Sequence, residues 1–252
     1  MPEIAVITGG SSGIGAAIAR ALAARGKRCV LVARGEERLR AVAEEVCGEY
    51  EVCDVGDREA VGRAAAAITA RHPAVQLLVN NAGVPGRAGF LSADPERIEQ
   101  VTRINYLGSV WCTRALLPAL EAAAPSDVVN VVSVAGTVAA GTSGLYTASK
   151  HAQLAFSRSV AAELAPRGVR VHAVLPGFVE TEGFPQRSVW PRWMHSLIAE
   201  PEDVAKAVLR AIDRNKREVT VPRYYRLGTL AQWLLPGLVA RIGTSGRMRK
   251  PA

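Results

Sequence analysis

Short, continuously apolar runs alternate along this chain with stretches of helical periodicity. Ile4–Thr8 reads as a first strand, followed by a glycine turn and a helix from about Gly13 to Arg25. Arg28–Ala33 reads as a second strand, and Glu36–Val46 has the helical period. Tyr50–Asp54 predicts a short third strand, and Asp57 the cap of a helix running to about Arg71. A fourth strand is expected at Val75–Asn80. Asp94 and Pro95 then read as N-cap and first residue of a long helix reaching Leu117. A fifth strand at Asp127–Ser133, a helix from Leu145 to about Ala165 and a sixth strand at Val169–Leu175 follow. A helix at Pro201–Arg214 and a short last strand at Glu218–Val221 complete the series. Strands that are apolar throughout are buried on both faces, so the alternation predicts a parallel sheet with helices on both sides. The expected fold is α/β: a Rossmann-type, doubly wound sheet of about seven strands. No linker interrupts it, so residues 1–252 read as one domain.

Composition narrows the setting. About half of the 252 residues are apolar and 21% are charged, an ordinary globular mixture. The first strand-like run begins at Glu3 with no charged and apolar leader, so no signal peptide is expected. No apolar run approaches the roughly 20 residues that span a bilayer. Cys29, Cys47, Cys53 and Cys112 form no C-x-x-C pair and read as reduced thiols of a cytoplasmic protein. The four histidines lack ligand spacing, so no metal site is expected. The net charge of +8 is uneven. From Arg214 onward there are nine Lys/Arg and one acid, Glu218, while the rest of the chain carries 22 of each sign.

The turn after the first strand reads Thr8-Gly9-Gly10-Ser11-Ser12-Gly13-Ile14-Gly15. Glycines there let backbone amides and a helix N-terminus approach a pyrophosphate closely. In dinucleotide-binding folds an acid at the end of the second strand holds a ribose 2′-hydroxyl. Here the strand ends at Arg34, with Arg38 one helical turn on. A guanidinium suits a 2′-phosphate, which favours NADP(H) and leaves NAD(H) as the lesser choice, with Glu36 or Glu37 taking the ribose in that case.

Tyr146 and Lys150 stand four apart on an expected helix, on one face and one turn apart. An ammonium beside a phenol favours the phenolate, so the spacing predicts a tyrosine lowered toward neutral pH and able to exchange a proton.

Together these motifs resemble the short-chain dehydrogenase/reductase family of compact, about 250-residue type. The resemblance runs from Ile4 to about Thr181. It rests on Thr8-Gly9-x-x-x-Gly13-x-Gly15, Asp54-Val55, Asn80-Asn81-Ala82-Gly83, Asn105, Ser133, Tyr146-x-x-x-Lys150 and Pro176-Gly177, in the family's order. It implies an oxidoreductase that interconverts a small-molecule carbonyl and an alcohol. Tyr146 would be the acid/base, Ser133 a hydrogen-bond donor to the substrate oxygen, and Lys150 the group that holds the nicotinamide ribose and lowers the tyrosine. Asn105 would hold a water linking Lys150 to solvent. Asp54 and Val55 would contact adenine. Asn80, Asn81, Ala82 and Gly83 resemble the fourth-strand end that supports the sheet and lines the adenosine ribose. Pro176, Gly177 and Thr181 would flank the nicotinamide, with the Val179 N–H on its carboxamide. A homodimer or tetramer is implied as well. Arg217-Glu218-Val219-Thr220-Val221-Pro222 stands where many members have Val-Asp-Gly-Gly after the last strand, which leaves the family's C-terminal subunit contacts open. Val132 replaces the first of the paired serines many members carry.

Residues 178–200 read as a substrate lid. They contain Phe184, Pro185, Val189, Trp190, Pro191, Trp193 and Met194, which suit a hydrophobic substrate or ordinary packing on the body. Arg187, Arg192 and His195 would meet an anion or face water. The tail, residues 223–252, carries Leu227, Leu230, Trp233, Leu234, Leu235, Leu238, Val239 and Ile242 among Arg223, Arg226, Arg247, Arg249 and Lys250. Pro236 is expected to break its helix. Either the apolar face packs on the body or a partner subunit, or it makes peripheral contact with an anionic membrane. No nucleic-acid-binding module is visible, so nucleic acid is not an expected partner. A rival to the enzyme is a catalytically silent NADP-binding sensor or scaffold of the same fold, which would have no need of Asn105, Ser133, Tyr146 and Lys150 together.

Overall fold

A computed structural model describes residues 2–86, 91–139 and 143–244 of the chain. Seven parallel strands form one sheet in the order β3-β2-β1-β4-β5-β6-β7. They are β1 (Ile4–Thr8), β2 (Arg28–Ala33), β3 (Glu49–Val52), β4 (Leu77–Asn80), β5 (Ser126–Val131), β6 (Val169–Pro176) and β7 (Glu218–Val221). The central strands are fully buried, as their unbroken apolar runs require. On one face lie α1 (Gly13–Ala23), α2 (Glu36–Glu45) and α7 (Pro201–Asp213), which contribute Leu22, Leu39 and Val208 to the core. On the other lie α3 (Arg58–Arg71), α5 (Gly108–Ala122) and α6 (Gly144–Leu164), with Ile68, Leu120 and Leu164. The strand order reverses between β1 and β4. In open parallel sheets such a switch point leaves a crevice at the carboxyl ends of the strands.

The caps read from sequence are made. The Asp57 carboxylate accepts from the Glu59 and Ala60 N–H groups, and Asp94 accepts from Arg97 N–H ahead of Pro95. Of the boundaries that differ from expectation, three have a local cause in view. β3 stops at Val52, because Asp54 Oδ1 accepts from the Gly56 N–H at 2.8 Å and draws the chain into a turn. β5 stops at Val131, because Ser133 Oγ accepts from the Ala135 N–H and starts a 3₁₀ turn at Val134–Gly136. The long helix is interrupted: α4 (Pro95–Thr102) passes into α5 through a π-turn at Arg103–Leu107, where the Gly108 N–H reaches the Arg103 carbonyl.

At the C-terminus Leu235 ends α8 (Tyr225–Leu234) and Pro236 begins α9 (Pro236–Thr244). Pro236 thus breaks the tail helix and serves as first residue of the next. Met194 and Ile242 have side chains outside the described residues, as do Arg247, Arg249 and Lys250 altogether. Among the described residues no helix is long and apolar enough to cross a membrane, and no group of His, Cys, Asp and Glu is arranged to hold a metal.

Candidate active site

The crevice is built from the ends of β1, β2, β4, β5 and β6. The glycine turn is held from behind by β4. Thr8 Oγ1 accepts from the N–H groups of Asn81 and Ala82 at 3.0 and 3.1 Å. Asn81 Nδ2 donates to the carbonyls of Thr8 and Gly9. The Asn81 side chain therefore braces the turn. Gly9 adopts φ +66°, and a Cβ on Gly15 would lie 2.1 Å from the Gly9 carbonyl oxygen, so only glycine closes this turn. The N-cap of α1, Ser12, makes no side-chain cap. With Ser11, Gly13 and Ile14 it presents helix N-terminal backbone toward the crevice, an arrangement that fits a pyrophosphate.

Arg34 follows β2 directly and stays exposed, its guanidinium 3.7 Å from an Asp54 oxygen. Arg38, on α2, pairs with Glu182 at 3.1 Å. Glu36, the rival for a ribose hydroxyl, instead accepts from the Tyr50 hydroxyl. Two solvent-accessible guanidiniums at the end of β2 fit a 2′-phosphate. Val55 is buried, beyond Asp54.

Ser133 and Tyr146 are joined. The Tyr146 hydroxyl shares a hydrogen bond with Ser133, whose Oγ also reaches the Pro176 carbonyl at 3.3 Å. Lys150 is buried below them, its Nζ 5.9 Å from the centre of the Tyr146 ring. The ammonium nitrogen donates to the Val131 carbonyl at 3.1 Å and to Gln153 Oε1 at 2.8 Å. A Cβ on Gly83 would come within 3.8 Å of it. Gln153 is fully buried and donates in turn to Ser109 Oγ at 2.7 Å.

The electrostatics correct one expectation. Burial raises the Tyr146 pKa, and the Ser133 hydrogen bond only opposes that rise. Desolvation pulls Lys150 down to about 7. Lys150 is thus not the permanent cation that a lowered tyrosine requires. The phenol is held protonated at neutral pH beside an amine whose own proton is labile there.

Asn105 sits in the π-turn, fully buried. Its Oδ1 accepts from the Val84 N–H, and its Nδ2 donates to the Val84 carbonyl and to Ser149 Oγ. The side chain is spent on the β4 loop and α6, and does not meet Lys150.

Residues 178–200, the expected lid, follow Gly177. Val179 bridges Ala199, using the Phe178 carbonyl and the Glu180 N–H. Strand geometry turns the N–H of Val179 itself away from that bridge. Thr181 packs against Gly13 and accepts from the Phe184 N–H. The Phe184 ring tilts over Tyr146 with centres 6.0 Å apart, and Phe178 packs between Trp190 and Tyr225. Arg187 pairs with Glu200 and His195 Nε2 meets the Trp190 carbonyl, so both are held within the lid. Trp193 faces solvent. Gly177 lies directly under the Tyr225 ring, where a Cβ would come within 2.1 Å of Cε2.

Sequence reasoning missed Gln153, Ser109, Ser149 and Tyr225. Helical spacing from Lys150 and Tyr146 to Gln153 and Ser149 is the signal that was available for two of them.

Similarity to known proteins extends over most of the chain. A family model described as short chain dehydrogenase matches residues 3–191. An uncharacterised oxidoreductase of Staphylococcus saprophyticus is 32% identical over 229 residues, covering 87% of this chain and 96% of that protein. Galactitol 2-dehydrogenase (L-tagatose-forming) of Cereibacter sphaeroides is 40% identical over 183 residues, 71% of this chain and 72% of the enzyme. A short chain dehydrogenase of Burkholderia cenocepacia, solved in complex with NADP, superposes with a TM-score of 0.82 at 30% identity, covering 94% of this chain and 95% of that one.

Proposed function

The chain belongs to the short-chain dehydrogenase/reductase family of NAD(P)-dependent oxidoreductases, and from that premise we propose that it interconverts a carbonyl and a secondary alcohol, with NADP(H) as coenzyme and Tyr146 as acid/base. The observation that carries this reading is the convergence of Ser133 and buried Lys150 on Tyr146 at the mouth of a glycine-turn crevice.

The residues present fit the coenzyme. The amides of Ser11–Gly15 would hold the pyrophosphate, Arg34 and Arg38 the 2′-phosphate, and Asp54 and Val55 the adenine. Ala82 and Gly83 would line the adenosine ribose, Lys150 would hold the nicotinamide ribose, and the Pro176–Thr181 segment with the Val179 N–H would hold the carboxamide. Bound there, the nicotinamide supplies or accepts the hydride.

The chain's own work is proton transfer and charge stabilisation. A carbonyl oxygen beside Ser133 and Tyr146 meets two O–H donors as it gains negative charge. Tyr146, kept protonated by burial, donates its proton to that oxygen. Lys150, near 7, is suited to restore it. A water in that relay would meet the backbone around Asn105 rather than its committed side chain.

Phe184, Phe178 and Trp190 line the substrate side, which supports a hydrophobic substrate. A carbonyl panel with NADPH, followed by the absorbance of the reduced nicotinamide, tests the reading. Turnover that Tyr146→Phe abolishes is expected, and unchanged turnover in that variant would refute the assignment.

A further inference from the structure

Helix α8 is built inside out. The side chains it turns toward the body are Tyr225, Thr229 and Gln232, three to four residues apart. Each makes a polar contact with the body, beside the packing of the Tyr225 ring on Gly177 and Phe178. The Tyr225 hydroxyl donates to the Leu197 carbonyl at 3.2 Å, Thr229 Oγ1 meets Thr137 Oγ1 at 2.9 Å, and Gln232 Oε1 accepts from the Ala139 N–H at 3.3 Å. The opposite face carries Leu227, Leu230, Trp233 and Leu234, continued by Leu235 and Leu238 after the break. Leu227 is 70% exposed and Trp233 80%. A helix that docks on its own protein normally turns its apolar stripe inward. Here the order is reversed over three turns, and the apolar face is left outward as a contiguous patch.

Its charge selects the occupant. From Val219 to the end of the chain there are six Lys/Arg and no acid. Arg226 is exposed among the outward leucines. A second copy of the chain meeting this face across a two-fold axis would set arginine against arginine, with no carboxylate on α8 or α9 to answer it. Apolar side chains with a tryptophan, in a stretch of sequence that carries basic residues and no acid, suit the boundary between acyl chains and anionic headgroups.

We infer that the outward face of α8 and α9 docks on an anionic membrane surface. Its place in the fold gives the contact a consequence. Tyr224 and Tyr225 bind the Leu197 carbonyl, and Thr229 and Gln232 bind the segment that follows Ser133, so α8 spans two walls of the crevice. Exposed Trp193 belongs to the same lid segment as Leu197. Docking therefore brings the crevice mouth to the lipid surface. On the oxidoreductase reading above, this directs the site to carbonyls dissolved in the bilayer.

Flotation of the full-length protein decides it, with vesicles of phosphatidylcholine containing a third phosphatidylglycerol against pure phosphatidylcholine. The protein is expected to float with the anionic vesicles and less so at high salt. Leu230→Ser with Trp233→Ser, both at exposed positions, is expected to weaken binding about tenfold or more. The same variant should keep its melting temperature and its turnover of a short, water-soluble carbonyl. No flotation, or equal flotation of the double variant, would overturn the inference. A sedimentation shift from dimer to monomer in the double variant, without flotation, would assign the face to a second copy instead. Flotation is read without turnover, so its failure is distinct from failure of the oxidoreductase reading.

Discussion

Lys150 and Gln153 lie one turn apart on α6, buried together, and Gln153 Oε1 accepts a hydrogen bond from the Lys150 ammonium at 2.8 Å. The amide is fixed at its other end by Ser109 Oγ on α5. Asn80, Thr113, Asn130 and Ser157 continue the buried polar set, and Ser157 returns to the Gln153 carbonyl at 2.7 Å. The amine thus projects from a fixed polar floor, with the Val131 carbonyl as its second acceptor. Apart from Asn80 Oδ1, which is buried without a partner, the links of this set hold one geometry, because each broken link leaves a desolvated polar atom.

Gln153 is therefore expected to act as a positioning residue for Lys150. Gln153→Leu removes an acceptor that favours the ammonium, so the Lys150 pKa should fall below its value of about 7. The limb of the pH–rate profile governed by Lys150 should move to lower pH, with turnover down about tenfold. Gln153→Glu should move that limb to higher pH. A role confined to packing would lower the melting temperature of both variants and leave the limb in place.

Ser133 is the group that opposes the burial-driven rise of the Tyr146 pKa. Ser133→Ala is expected to push that pKa further up and to shift alcohol oxidation, which needs the phenolate, to higher pH. Carbonyl reduction should lose about a hundredfold in kcat, the usual cost of one donor to a developing oxyanion. Equal pH optima in wild type and variant would detach Ser133 from Tyr146.

The sheet, the glycine turn and the order of the site residues were legible because each is a local pattern: an unbroken apolar run, a glycine where a Cβ collides, a cap before a helix. Three features were not. The π-turn at Asn105 leaves the apolar period almost unchanged, since it adds a single residue to one turn. The outward stripe of α8 has the same spacing as an inward one, and only the polar partners of Tyr225, Thr229 and Gln232 show which side is docked. The protonation of Lys150 follows from desolvation, which depends on residues such as Val131 and Gln153 that spacing alone does not bring to the amine.

Arg34 is the residue on which coenzyme choice is expected to turn. It pairs with the Asp54 carboxylate at 3.7 Å, a long and exposed pairing that a phosphate would readily displace. Arg34→Asp should raise the KM for NADPH about tenfold or more and lower that for NADH. Arg38→Ala should have the smaller effect, since Arg38 is already engaged by Glu182. Steady-state kinetics with both coenzymes, compared as kcat/KM ratios, measure this; an unchanged ratio in Arg34→Asp would remove the basis for NADP(H) preference.

Lys150 also links stability to pH in the coenzyme-free protein. Its folded pKa is depressed to about 7, against roughly 10.4 when unfolded. Below pH 7 both states carry the proton, and the folded state bears the full cost of a buried cation. Between the two pKa values the unfolded chain holds a proton that the folded chain has released. Stability must therefore rise with pH across that window, by at most about 1.4 kcal/mol per pH unit from this group. In Lys150→Met the group is absent and so is its contribution to the slope. Denaturant melts of the two proteins at pH values from neutral to moderately alkaline should show the wild type gaining on the variant as pH rises. Parallel curves would mean that Lys150 keeps its proton in the folded state, and with it the permanent positive charge beside Tyr146.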